Sequence, residues 1–224
     1  MIGDGIDSGA RMPVVTIFEQ HAQEYDAWFD THAFAYQAEV AALRSCIPGE
    51  GLSLEVGIGT GRFAGPLGIR FGIDPSRRML AIARQRGLLV CQAVGEQLPF
   101  RDRQFDVVLL VTVICFVDDV PTLLRELRRV LKSGGHLVIG FINRDSELGR
   151  LYEARKETSA FYRDARFFSV EEVADRVQKA GFHSLRFRET LWGDSGQLAS
   201  GKLEVRDGYG KGAFVVLRAI KTTG

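Results

Sequence analysis

The near-unbroken apolar run from Val107 to Val117 constrains this chain more than any other feature. It is too short to cross a bilayer, which takes about 20 apolar residues. It is also too continuous for a strand with one wet face, so Phe105 to Val113 is expected as a strand covered on both sides. Leu52–Val56, Phe71–Ile73, Leu88–Cys91 and His136–Ile142 are its candidate neighbours. Helical patterns lie between them. Ser76 to Arg86 puts Met79, Leu80 and Ala83 on one face, and Pro121 to Lys132 carries a stripe of Leu123, Leu124, Leu127, Val130 and Leu131. Arg62 to Leu67 reads as a helix or a turn, and Ser133-Gly134-Gly135 as a helix stop. Ser169, with Glu172 three positions on, opens a helix to Ala180 as a capping box. Phe182–Leu191 and Gly212–Lys221 are two late strands, joined by a polar loop at 192–211. Such alternation demands an α/β, doubly wound, mostly parallel sheet with right-handed crossovers. Ligands of these sheets sit beyond the carboxyl ends of the strands, where strand order reverses. The loops after residues 56, 73, 91 and 113 therefore surround one crevice.

Residues 14–49 precede this pattern. Ile17, Phe18, His21, Tyr25, Trp28, Phe29, Phe34, Tyr36, Val40 and Leu43 suggest two short helices broken near Asp30 to His32, an N-terminal helical lid that ends at the turn cluster Pro48 to Gly51. Residues 1–13 read as a flexible leader and 50–224 as the core. The chain carries 29 basic against 28 acidic side chains, net +1, so charge gives no reason to expect nucleic acid or an anionic membrane as partner. Cys46, Cys91 and Cys115 form no CxxC or Cys/His cluster, so no metal is expected and the thiols read as reduced, in keeping with a cytoplasmic location.

The chemistry concentrates in LEVGIGTGRF, residues 54–63. Gly57, Gly59 and Gly61 follow a strand directly, where the chain must turn sharply and let a ligand approach the backbone. A tight turn with nothing bound would use the same residues. Asp74 lies 17 residues after Gly57, in GIDPS. A carboxylate there can accept from both hydroxyls of a ribose; it can equally cap the next helix, with Pro75 in the first turn. Dinucleotides set their pyrophosphate on the helix N-terminus, usually with GxGxxG. Here the third glycine comes one residue early, and Glu55 on the preceding strand would repel phosphate but attract an ammonium. The residues favour S-adenosylmethionine over NAD.

LEVGIGTG, GIDPS, VGEQLPF with FDVVLLVTVICFVDD, and RELRRVLKSGGHLVIG resemble successive motifs of the class I S-adenosylmethionine-dependent methyltransferases, most closely the small-molecule, type 11-like members. The likeness runs over about residues 50–145. It implies a Rossmann-like doubly wound seven-stranded sheet with an antiparallel last strand, and S-adenosylmethionine as cofactor. It places Glu55 near the methionine ammonium, Gly57, Ile58 and Gly59 along the methionine carboxylate and ribose, and Asp74 at the ribose hydroxyls. It sets Met79 on the adenine ring, Gly95 and Glu96 at the adenine edge, and Thr112 under the sulfonium, with Gly61 and Pro75 completing the cofactor set. One position departs from the pattern: where the family carries an Asp that accepts from the adenine amine, this chain has Val94, which leaves Glu96 as the nearest substitute.

Methyl transfer from a sulfonium is an in-line displacement by an activated reagent, so positioning matters more than acid–base help, and no catalytic side chain is singled out. Phe18, Tyr25, Trp28 and Phe29 of the lid, with Cys115, Phe116, Asn143 and Arg144, are the acceptor-site candidates; Tyr152, Phe161, Tyr162 and Arg166 could join them. The lid aromatics could instead pack on the sheet edge, and Cys115 reads as a buried small hydrophobe. The expected partner is a small-molecule acceptor. Two alternatives stay open, a non-catalytic S-adenosylmethionine-binding module and an NAD-dependent oxidoreductase.

Overall fold

The computed structural model describes residues 12–49, 51–159, 161–192 and 203–222. Eight strands form one sheet: β1 (Ser53–Val56), β2 (Phe71–Asp74), β3 (Leu89–Gln92), β4 (Phe105–Val111), β5 (Leu131–Ile142), β6 (Phe182–Thr190), β7 (Arg206–Asp207) and β8 (Phe214–Lys221). Their order is β3-β2-β1-β4-β5-β8-β6-β7. The first five run parallel, and β8 inserts antiparallel between β5 and β6. The expected seven strands are all present. The eighth, β7, is a two-residue edge piece inside the polar 192–211 segment, too short to leave a period-2 signal.

Seven helices flank the sheet among the described residues: α1 (Met12–Gln20), α2 (Ala22–Thr31), α3 (Ala33–Cys46), α4 (Arg77–Gln85), α5 (Val120–Val130), α6 (Glu147–Arg155) and α7 (Val170–Lys179). The apolar stripes of α5 and α7 bury against one face of the sheet, with Val108, Leu110, Leu137 and Leu217. On the other face α3 and α4 pack Ala38, Leu43, Leu80 and Ala83 against Leu109, Val111, Val138 and Val216. β4 is thus covered on both sides, as its composition requires.

Several boundaries differ from the sequence reading. Strand β4 stops at Val111 because Thr112 turns to φ +53 and Ile114–Phe116 form a 3-10 turn. Helix α5 ends at Val130, and Ser133-Gly134-Gly135 is an irregularity early in β5, between the pairs Phe105↔Leu131 and Val107↔His136. Residues 62–67 take the turn of the two expected alternatives. The N-terminal segment has a second break at His21 besides the one at His32. Helix α6, capped by Ser146 Oγ accepting from the Gly149 N–H, occupies a stretch whose few apolar residues carry no clear helical period. The capping box on α7 forms as its sequence dictates.

Candidate active site

Strand order reverses between β1 and β4, and the glycine turn leaves β1 at that point. Gly57 has φ +71, and a Cβ there would stand 2.3 Å from Val113 Cγ2, so both the backbone conformation and the close approach require glycine. At Gly59, φ +52, an added Cβ would meet only the ring of Tyr25, at 3.6 Å. Asp74 braces this turn from the end of β2. Its Oδ2 accepts from the Gly59 N–H at 2.9 Å and its Oδ1 from the Ser76 N–H at 2.8 Å. Each oxygen keeps a second lone pair for a ligand. Burial pushes the Asp74 carboxyl up to about 6 against the lowering effect of those two donors, so it is still ionised at neutral pH.

One cavity of about 880 Å³ opens over this turn. Its walls include Gly57, Gly59, Asp74, Pro75, Met79, Gly95, Glu96 and Thr112 from the expected cofactor set. Phe18, Tyr25, Trp28, Phe29 and Phe116 from the expected acceptor set line the same space, as do Tyr152, Phe161 and Tyr162. The rings form a continuous edge-to-face and stacked array: Phe18 to Tyr25 at 5.6 Å, Phe18 to Phe116 at 5.3 Å, and Tyr152 to Tyr162 at 5.1 Å. Thr112 sits where β4 breaks, in the left-handed conformation uncommon for a non-glycine residue.

Six expected residues do not line the cavity. Ile58 packs under β2, in the space where a side chain on Gly72 would fall. Gly61 abuts Leu88 and Ala83. Cys115 is buried, and its thiol donates to the Thr112 carbonyl. Asn143 is buried and accepts from the Asp145 N–H. Arg144 pairs with Glu172 and Asp145. Arg166, a further candidate, lies against the Phe168 ring. Glu55 is only 1% exposed, and burial, then the nearby Asp74 charge, raises its carboxyl well above the usual range. Its Oε2 has no hydrogen-bond partner.

Two groups escaped the sequence reading. Glu39 of α3 lines the cavity, although it is a charged residue in an otherwise apolar helix face; that misfit was the available signal. The second group fastens α1 and α2 to the core. Glu19 accepts from Ser76 Oγ and the Arg78 N–H at the start of α4. Asp26 receives Arg62 and Arg86, and Asp30 also binds Arg62. Charges 30 to 60 residues apart leave no local pattern to read.

A glycine turn at the reversal point, beside a carboxylate closing the second strand, defines an α/β protein that binds a nucleoside-containing cofactor. Residues 54–139 match the methyltransferase domain family. A Thermotoga maritima S-adenosylmethionine-dependent methyltransferase, described as a possible histamine N-methyltransferase, superposes with a TM-score of 0.89 at 48% identity over 92% of this chain and 99% of its own. An uncharacterized protein of Methanocaldococcus jannaschii is 43% identical over 92% of this chain and 100% of its own length. The ubiquinone/menaquinone biosynthesis C-methyltransferase UbiE of Desulfotalea psychrophila is 31% identical over 66% of this chain and 72% of its own. The chain belongs to the class I S-adenosylmethionine-dependent methyltransferases, with S-adenosylmethionine as its cofactor. That excludes the nicotinamide alternative. The residues fit the cofactor: Asp74 offers free lone pairs beside an open glycine cradle, and the orphaned Glu55 Oε2 is a buried acceptor beneath it. Among the described residues there is no cluster able to hold a metal ion and no helix long and apolar enough to cross a membrane.

Proposed function

We propose that this methyltransferase acts on a small organic acceptor held among the aromatic rings of the cavity. The observation that carries the reading is the sharing of one cavity by the glycine turn with Asp74 and the rings of Phe18, Tyr25, Phe116, Tyr152 and Tyr162. Its volume falls in the range of small-molecule sites, about 300–1,000 Å³. When bound, S-adenosylmethionine supplies a methyl group on sulfonium sulfur, open to in-line displacement. Asp74 would hold the ribose hydroxyls, Met79 the adenine face, and Glu96 the adenine edge, since Val94 has no acceptor and stands 45% exposed. Glu55 Oε2 would accept from the amino-acid end. Tyr25, Trp28 and Phe29 on α2 act as a lid that excludes water and orients the acceptor. Such positioning lowers a barrier by about 7–11 kcal/mol, so a general base is optional.

Isothermal titration of the purified protein with S-adenosylmethionine and S-adenosylhomocysteine, followed by methyl-transfer assays over small amines, carboxylates and phenols, tests the reading. Turnover of a small acceptor supports it. Cofactor binding with turnover only on protein or nucleic acid overturns it. The name of the Thermotoga relative supports assaying amines first.

A further inference from the structure

Glu39 stands out in the molecule because the fold gives it nothing to do. It is 6% exposed, and its carboxylate has no hydrogen-bond or ion-pair partner among the described residues. Burying an unpartnered carboxyl costs stability, and an alanine would fill the same helix position without that cost. Helix geometry sets Glu39 one turn beyond Ala35, with which it lines the cavity, while Ala42 and Leu43, three and four positions on, continue that same side of α3 into the core. Around it are Tyr25 from α2, Tyr152 from α6 and Tyr162, all within electrostatic reach. None of these three hydroxyls has a hydrogen-bond partner among the described residues.

The rest of the cavity has one sign. Its acidic walls are Glu39, Asp74, Glu96 and Asp118; His32 also lines it, and no Lys or Arg does among the described residues. Asp74 and Glu96 belong to the cofactor half. Glu39 lies on α3, a helix that contributes nothing to the glycine turn or to the β2 end. Aromatic faces add attraction for a cation over an anion or a neutral group. We infer that Glu39 anchors the acceptor, and that the acceptor is a small amine, protonated in water, whose ammonium group sits on this carboxylate within the ring of tyrosines. The inference rests on the methyl-transfer reading of the same cavity and adds the substrate class and the residue that selects it. Burial pushes the Glu39 carboxyl up to about 8, which favours its protonated form in the free protein, whereas a bound ammonium favours the carboxylate and so the release of that proton.

The test is calorimetry on the protein saturated with S-adenosylhomocysteine, with benzylamine and tyramine as probes and benzyl alcohol and tyrosol as their neutral counterparts. The amines are expected to bind at least about tenfold tighter than the alcohols, and Glu39→Gln to erase that preference. Titrations in buffers of different ionisation heat should show proton release on amine binding at pH 7 in the wild type that is lost in Glu39→Gln. Glu39→Asp, which keeps the charge, should restore part of the preference. Glu39→Gln should still bind S-adenosylhomocysteine as the wild type does, which also shows that it is folded. Equal binding of amines and alcohols, or an amine preference that survives Glu39→Gln, overturns the assignment while leaving the methyltransferase reading intact. A wild type that binds no S-adenosylhomocysteine removes both.

Discussion

Asp26 offers the sharpest check on how the N-terminal helices are held. Its two oxygens receive Arg62 Nε and Nη2, each at 2.9 Å, and Arg86 Nη2 at 2.7 Å. The side chain is 17% exposed, as is that of Arg62. Breaking a fully buried pair costs about 3–5 kcal/mol, and an exposed pair is worth about 0–1 kcal/mol. A mostly buried, doubly paired carboxylate falls between. Arg62 keeps Asp30 at 2.8 Å and Arg86 keeps the Thr60 carbonyl, which softens the loss. We expect Asp26→Asn to cost about 2 kcal/mol, near 4–8 °C in melting temperature for a chain of this size. The sign with pH is fixed by the guanidiniums of Arg86 and Arg62, which, against the opposing effect of burial, hold the Asp26 carboxyl below the usual carboxylate range. A depressed folded-state value contributes stability above the unfolded value and loses it as pH falls toward the folded one. Thermal melts followed by circular dichroism should therefore show the full gap at pH 7 and a shrinking gap below about pH 4. A variant that melts within about 1 °C of the wild type at pH 7, or a gap that ignores pH, would refute the argument.

Four further outcomes follow from the same geometry. Asp74→Ala should weaken S-adenosylhomocysteine binding by about tenfold or more in calorimetry, because the carboxylate both braces Gly59 and faces the cavity. Gly57→Ala should lose about 2 kcal/mol or more of stability together with cofactor binding, from φ +71 and the 2.3 Å approach to Val113. Trp28→Ala should raise KM for the acceptor more than it weakens the cofactor; equal losses in both would count against α2 as the acceptor wall. Glu39→Gln should gain melting temperature relative to the wild type between about pH 5 and about pH 8, because a carboxyl raised to about 8 by burial costs the folded state progressively more as it is made to ionise.

What the sequence revealed follows the range over which each feature is encoded. The β4 run and the α5 and α7 stripes are local patterns, with periods of 2 or 3.6 residues, and the elements formed where those patterns lie. The glycine turn and Asp74 were legible because chemistry needs particular residue types at fixed short spacings. Asn143 and Arg144 were read as site residues from their place after a strand, but their side chains satisfy a local turn and the α7 capping glutamate. Glu55 sits under the turn and not in the cavity wall, a difference of side-chain direction that spacing does not reveal. Helix α6 and Glu39 were missed because the cavity that gives them meaning is assembled from segments more than a hundred residues apart.

Helix α2 ties these observations together. Asp26 and Asp30, four positions apart, form one stripe that grips Arg62, just past the glycine turn. Tyr25, Trp28 and Phe29 form the other stripe and face the cavity. One helix thus carries both the ion pairs that fasten it beside the glycine turn and the rings that line the cavity. On the proposed acceptor site, a shift of α2 that opened the cavity at Trp28 would strain the pairs of Asp26 and Asp30 to Arg62 and of Asp26 to Arg86. Cofactor and acceptor binding should therefore be coupled in the same direction, with a filled, ordered turn favouring the closed helix. If they are so coupled, reciprocity requires that a ligand in the acceptor part of the cavity tighten the cofactor by the same factor. Asp26→Asn, which leaves both sets of ligand contacts in place, should reduce that factor toward one.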